Sequence, residues 1–149
     1  MFAVEMSEFL SDTWRILYES AAYAGAGLIV LVLGGVLVDL LLPGKLRSQI
    51  WEDRNVNATV ILSSALVGIG IIILASIRAA SDDVATGVFD TLIFGGLGFV
   101  IFTISWFVLD VLTPGKLGDI LAEDRFHPAV IVSATVNVVV GTIIAFSIY

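Results

Sequence analysis

The sequence predicts an all-α integral membrane protein. Four transmembrane helices are expected to form two helical hairpins as parallel repeats, preceded by an N-terminal amphipathic helix. Three observations predict this fold: an apolar composition, four long apolar runs and a segment that occurs twice. Of the 149 residues, 58% are hydrophobic and 14% are charged, and the mean hydropathy is +1.05. Soluble domains contain about 25% charged residues, so lipid is the expected solvent for most of the chain.

Charge and residue usage argue against several classes of protein. The formal net charge of −7 argues against a nucleic-acid partner, because phosphates attract lysine and arginine. The chain has no cysteine and one histidine, His127, so a disulfide, a zinc site or a haem site is not expected. We therefore expect neither a cofactor nor a metal ion.

The first 20 residues predict an acidic amphipathic helix. A signal peptide has a basic start and an uninterrupted apolar stretch, whereas Glu5, Glu8 and Asp12 interrupt this segment. Surface-binding helices are commonly basic, so docking onto another protein is at least as plausible as binding to anionic lipid. The candidate docking residues are apolar and share one helical face: Phe2, Met6, Phe9 and Trp14.

Four apolar runs follow, at residues 21–42, 56–77, 88–113 and 128–149. Each reaches the length of about 20 residues with which a helix crosses the hydrocarbon core. Transmembrane strands would alternate polar and apolar residues, and these runs do not alternate. The chain thus divides into the amphipathic helix at residues 1–20, a first two-helix repeat at residues 21–80 and a second repeat at residues 81–149.

One segment occurs twice at a constant offset of 71 residues. Residues 39–77 and 110–148 are identical at 16 of 39 positions without a gap. The shared motifs include a Pro-Gly-Lys-Leu corner and a Glu-Asp-Arg triplet. Convergence would not preserve the register so well, so internal duplication of a two-helix hairpin is the better interpretation.

The basic residues predict how the chain is oriented in the membrane. Arg15 and Arg78 lie on one side, and the two Pro-Gly-Lys corners on the other carry the remaining five: Lys45, Arg47, Arg54, Lys116 and Arg125. Short basic loops stay in the cytoplasm. Both corners are therefore predicted to be cytoplasmic and both termini to be outside, with the repeats related by a pseudo-twofold axis along the membrane normal.

Each corner carries an acid about one helical turn before its proline, and two interpretations of this acid remain. In the structural one, it locks its hairpin through an ion pair or by capping the loop backbone. In the functional one, the two carboxylates bind a proton or cation, because intramembrane acids often mark such paths. The candidate site residues are Asp39, Pro43, Gly44, Lys45 and Arg54, with Asp110, Pro114, Gly115, Lys116 and Arg125 in the second repeat.

Three further patterns concern packing. The ten residues after each Pro-Gly predict a short helix in the membrane interface. Polar residues of the second and fourth spans, including Ser64 and Asn137, predict hydrogen bonds between helices. The glycines of the spans predict close packing, within the bundle or against neighbouring chains.

The duplicated hairpin, the Pro-Gly-Lys-Leu corner and the Glu-Asp-Arg triplet resemble those of the small bacterial membrane family catalogued as domain of unknown function 350. The resemblance covers most of the chain after about residue 20. It implies a four-span protein of the bacterial inner membrane, and it implies no activity. The second repeat has His127 and Pro128 where the first has Val56 and Asn57, so the copies need not be equivalent.

We expect a non-enzymatic protein, an accessory or scaffolding subunit of a larger membrane complex such as a respiratory complex. Its expected partners are the bilayer and other integral membrane proteins or copies of itself, because no loop is long enough to form its own site. The alternative is an oligomeric proton or cation channel or transporter that uses Asp39 and Asp110. An intramembrane enzyme ranks third, because no nucleophile–base pair or metal set is present in the sequence.

Overall fold

The computed structural model describes residues 2–41, 46–112 and 125–148, and within these ranges the chain forms five helices and no strand. In chain order these helices are α1 (Phe2–Leu41), α2 (Leu46–Trp51), α3 (Val56–Arg78), α4 (Val84–Leu112) and α5 (Ala129–Ile148). Four of them are long and apolar enough to cross a membrane. The predicted all-helical fold with four membrane-spanning helices is therefore confirmed.

The first helix, α1, runs without a break through the predicted amphipathic segment and the predicted first span. Its 40 residues correspond to about 60 Å, twice the thickness of about 30 Å of a hydrocarbon core. Its later half packs into the bundle, where Ala26, Val30 and Val38 are buried. From Phe9 to Tyr18, by contrast, every residue is exposed. The amphipathic segment thus consists of the first turns of the same helix as the first span.

The centre of the bundle is α3, which packs against each of the other helices described and most extensively against α5. The fully buried side chains of Ile61, Ile69 and Ile72 form its inner face. Phe102 and Trp106 from α4 complete the same core. Because α3 is surrounded, half of its span is buried, against little more than a quarter of each other span.

Glycines set a close crossing between α3 and α5. A Cβ atom built on Gly141 would lie 2.6 Å from the Cα atom of Gly68, and one built on Gly68 would lie 2.7 Å from the carbonyl oxygen of Asn137. Both contacts are with backbone, which cannot turn aside as a side chain does. By contrast, a Cβ atom built on Gly25, Gly70 or Gly96 would have no atom within 4 Å apart from the local backbone of its own helix. The structure thus separates glycines that pack inside the bundle from glycines on its surface.

Glycine also brings α1 close to α3, and α4 close to α5, through matching contacts. A Cβ on Gly27 would lie 3.0 Å from Cγ2 of Ile73 and 3.8 Å from Cδ1 of Ile77. A Cβ on Gly98 would lie 3.2 Å from Cγ2 of Ile144 and 3.7 Å from Cδ1 of Ile148. Every residue of the second set follows its counterpart by 71 positions, so the two hairpins share this packing contact.

The connection between α3 and α4 is held by short polar contacts. The Asp90 carboxylate accepts hydrogen bonds from the backbone N–H of Ser81 at 3.2 Å and from its hydroxyl at 2.5 Å. Asp83 accepts bonds from the backbone N–H and the hydroxyl of Thr86, at 3.0 and 2.9 Å, where α4 begins. These bonds to the charged form hold the pKa of Asp83 below its usual value.

Candidate functional site

The first corner is closed by the acid that the sequence singles out. Oδ1 of Asp39 accepts a hydrogen bond of 2.9 Å from the backbone N–H of Leu46, the first residue of α2. This N–H belongs to the first turn of a helix and has no partner within that helix. Since Leu46 itself is buried, the bond ties the end of α1 to a fixed point of the bundle. Asp39 thus caps the backbone of the corner.

A left-handed residue turns the chain from α2 into α3. The φ angle of Arg54 is 54°, a conformation uncommon for residues other than glycine. It follows the last turn of α2, where the N–H groups of Glu52 and Asp53 donate to the carbonyl of Ser48. Asn55 then caps α3, because its side chain accepts a bond of 3.1 Å from Ala58 N–H. The predicted short helix is present in this first corner.

The sequence suggests an ion pair between Asp39 and Arg54, and the side chains of both residues are described. These two side chains form no ion pair with each other, whereas among the described residues an ion pair joins Arg15 to Glu19, at 2.7 Å. Asp110 is half-buried. Six predicted corner residues lie outside the described residues: Pro43, Gly44, Lys45, Pro114, Gly115 and Lys116.

A buried asparagine, which no sequence pattern singled out, connects the second corner to α3. Asn57, which is 1% exposed, donates from Nδ2 to the carbonyl of Arg125 at 2.9 Å. Its Oδ1 accepts a bond of 3.1 Å from the backbone N–H of His127. One amide side chain thereby holds the segment that leads into α5. The available signal was an amide in the first turn of an apolar span, opposite Pro128 in the other repeat.

The polar groups of the core bond to one another or to their own helices. Asn137 of α5 donates to the hydroxyl of Ser64 on α3 at 3.0 Å, which is a hydrogen bond between helices as the sequence predicts. The hydroxyls of Ser64, Ser76 and Thr91 donate to carbonyl groups one turn earlier. Within the described ranges, no buried polar side-chain atom lacks a partner. These groups therefore act as contacts between and within helices.

No candidate metal site occurs in the described part of the chain, where no three acidic or histidine side chains are grouped to hold an ion. His127 is engaged locally, since its Nδ1 accepts a hydrogen bond of 3.2 Å from the N–H of Ala129 at the start of α5. This contact caps the helix.

The predicted docking residues lie on the part of α1 that precedes the bundle. Three of them are described with their side chains, and Met6, Phe9 and Trp14 are 48%, 66% and 71% exposed. Leu10 and Leu17 extend the same helical face and are also exposed. We call these five residues the docking face. The side chain of Phe2 lies outside the described residues.

Comparison with known proteins gives relatives along most of the chain. A UPF0719 transmembrane protein of Mycolicibacterium paratuberculosis is 27% identical over 126 residues, which are 85% of this chain and 83% of the relative. UPF0719 transmembrane protein Mb2631 of Mycobacterium bovis is 31% identical over 123 residues, 83% of this chain and 81% of the relative. The corresponding protein MT2674.1 of Mycobacterium tuberculosis matches equally well. No solved structure matches the chain.

The family assignment rests on a match that includes all four spans. The family described as Domain of Unknown Function (DUF350) matches residues 11–148. This range contains the corners, the buried asparagine and the crossing between α3 and α5, and it begins within the first turns of α1. The chain therefore belongs to the DUF350 family of membrane proteins, whose function is not known.

Proposed function

We propose that this protein is a non-enzymatic accessory subunit that associates with other integral membrane proteins through the docking face. The observation that carries the proposal is the exposure of five large apolar side chains on one face of α1, ahead of the bundle. Burying one such side chain contributes about 1.5–3 kcal/mol. Exposing five such side chains to water is unfavourable. A protein partner that covers them therefore stabilises the complex by burying this apolar surface.

The length and charge of α1 indicate what kind of partner fits. The last 21 residues of α1, from Ala21 to Leu41, are about 30 Å long and can cross the hydrocarbon core by themselves, so we place the docking face of a straight α1 beyond that core. Two acids of the sequence, Glu5 and Asp12, are seven residues apart and therefore fall along the same edge of the docking face. A second copy would bring like charges together. The partner surface is therefore an apolar stripe flanked by lysine or arginine, on the extramembrane part of another membrane protein.

Replacing two docking residues is expected to release the partner. We expect Phe9→Ser with Trp14→Ser to reduce co-purification of other membrane proteins at least about tenfold, because losing more than 1.4 kcal/mol of contact energy has that effect. The measurement is affinity purification after gentle solubilisation, with quantitative mass spectrometry. Arg15→Ser is the control, since the side chain of Arg15 is 72% exposed and lies on the side of the helix opposite the middle of the docking face.

Two results would contradict this function. One is recovery of the unmodified chain as a lone monomer after gentle extraction. The other is a full set of partners retained by the double variant, in which the docking face has lost its two most exposed side chains.

Ion conduction past the corner acids has less support. Asp39 is exposed at the edge of the bundle and accepts a hydrogen bond from Leu46. In the described core, Asn137 donates to the Ser64 hydroxyl, and the Ser64 hydroxyl donates to a carbonyl group. The described buried polar side-chain atoms all have hydrogen-bond partners, so they do not form a row of free polar groups along which an ion could pass. The accessory role is therefore the preferred one.

The proposed location is the bacterial inner membrane, with both corners in the cytoplasm and both termini outside. Its support is the placement of five of seven basic residues in the corners. The native chain has no cysteine, so single cysteines report sidedness directly. We expect Lys45→Cys and Lys116→Cys to react with an impermeant maleimide only after the cells are opened. Asp82→Cys, in the exposed loop between α3 and α4, reacts in intact cells. Labelling of the two corners from opposite sides would contradict this arrangement.

A tandem duplication of one hairpin accounts for the shared features of the two halves. The sequence identity at an offset of 71 supports it, and so do the matching contacts of Gly27 with Ile73 and of Gly98 with Ile144. The accessory role thus resides in a scaffold with two similar halves and one unduplicated extension, the docking face.

A further inference from the structure

An open groove of about 1020 Å³ lies between α1, α2 and α3 at the first corner. Its inner part is apolar and is formed by Val32 and Val36 of α1 with Leu62 and Leu66 of α3. All four belong to helices that span the membrane. Since Val32 and Val36 are 63% and 52% exposed, this part of the groove opens towards lipid and suits an acyl chain.

The end of the groove at the corner has a different chemistry, with charges of both signs. Asp39, Arg47 and Glu52 line it. Asp39 uses Oδ1 to bond Leu46 N–H, and Glu52 uses Oε2 to accept the Ser48 hydroxyl at 2.8 Å. A carboxylate has two oxygens with about four acceptor positions, so each acid retains capacity for a further donor.

The basic side chain at this end, Arg47, is available to bind an acceptor group. Arg47 is exposed and forms no ion pair with a described residue. A guanidinium group presents its donors in a planar fork that matches a phosphate group. The groove therefore has an apolar part and a charged end, formed by Asp39, Arg47 and Glu52, which we call the mouth. Arg47 offers one position for a phosphate group, and the two acids offer positions for a cation.

We propose that this groove binds a phospholipid whose headgroup contains a phosphate and a primary ammonium group, as in phosphoethanolamine. Arg47 binds the phosphate, Asp39 and Glu52 accept hydrogen bonds from the ammonium, and an acyl chain lies along Val32 and Leu62. The site is separate from the docking face and does not depend on it.

The charges of the mouth select among headgroups. A purely anionic headgroup satisfies Arg47 but brings its charge close to two carboxylates. A choline headgroup has no N–H donor for these carboxylates, and quaternary ammonium groups are bound by aromatic cages. Trp51, the aromatic side chain that lines this groove, is 72% exposed and stands alone there. A primary ammonium, with three N–H donors, matches the acids.

Lipid retention by the full chain tests the site. The purified protein is equilibrated with an equimolar mixture of phosphatidylethanolamine, phosphatidylcholine and phosphatidylglycerol of identical chains, and retained lipid is counted by native mass spectrometry. We expect phosphatidylethanolamine to be retained at least about fivefold over each of the others. Equal retention of the three lipids, or preference for either of the other two, would overturn the proposal.

Three variants assign that preference to the groove. Asp39→Asn keeps an oxygen that can accept the bond from Leu46 N–H, so the corner is maintained while one charge is removed. We expect Asp39→Asn and Glu52→Gln each to reduce the preference about threefold or more. Asp53→Asn removes a neighbouring exposed acid that does not line the groove and leaves the preference unchanged. A preference that survives both groove variants, or that falls equally in the Asp53 control, places the lipid elsewhere and overturns the site.

Discussion

Replacing Gly141 by alanine is expected to lower the free energy of unfolding by about 3 kcal/mol, the upper part of the usual range for overpacking. The added methyl group would meet the Cα, carbonyl carbon and carbonyl oxygen of Gly68 at 2.6–2.8 Å. Backbone on the facing helix cannot move aside, so α3 and α5 must separate. Their interface is the most extensive of the bundle. Thermal unfolding in detergent, followed by tryptophan fluorescence, measures the loss.

The control for this prediction is Gly70→Ala. Gly70 holds the position in the first repeat that Gly141 holds in the second, and apart from the local backbone of α3 no atom lies within 4 Å of its Cβ position. Alanine is favoured over glycine within a helix by up to about 1 kcal/mol, so this variant is expected to be unchanged or slightly more stable. Equal destabilisation by Gly70→Ala and Gly141→Ala would show that the crossing is not where the structure places it.

Replacing Asn57 by alanine is expected to cost about 2 kcal/mol and to loosen the entry into α5. The change leaves the Arg125 carbonyl and the His127 N–H without their side-chain partner, and a buried unsatisfied polar group costs about 1–3 kcal/mol. The better helix propensity of alanine offsets part of this cost. Besides the unfolding free energy, amide hydrogen exchange at His127 is informative, because its N–H donates to Asn57 and should exchange faster in the variant.

Thr59→Ala is the matched control for Asn57. Thr59 lies in the same turn of α3, but it is exposed and its hydroxyl donates to the carbonyl of Asn55 within four residues. Exposed substitutions of this kind stay within about 0.5 kcal/mol. If His127 keeps its slow exchange in Asn57→Ala, the amide does not hold the second corner and this assignment is wrong.

The spans were predictable because the signal is local and strong. A helix that crosses lipid satisfies its own backbone hydrogen bonds, so a run of about 20 apolar residues is sufficient to identify it. The predicted run at residues 56–77 ends one residue before α3 does. The predicted run at residues 128–149 begins one residue before α5 and ends one residue after it. The continuity of α1 was not predicted, because the acids at Glu5, Glu8 and Asp12 divide its composition while its helical backbone continues past them.

The sites were less predictable, because each depends on residues distant in the chain. The sequence draws attention to Asp39 as an acid among apolar residues, and the structure places it against Leu46 N–H. The sequence does not single out Asn57, because its partners Arg125 and His127 lie 68 and 70 positions later in the chain. Nor does the groove at the first corner follow from periodicity, because three helices contribute to it.

By itself, the sequence determined the lipid solvent, the four membrane-spanning helices and the positions of the corners, because these depend on local hydrophobicity and on prolines and glycines at particular places. Only the tertiary structure decided which of two corresponding glycines, Gly70 and Gly141, lies in a helix crossing, and which amide holds the second corner. Both depend on the rotation and spacing of one helix against another. The repeat predicts the same local environment for both copies. In the bundle, however, α3 is surrounded by other helices, whereas its counterpart α5 lies at the edge.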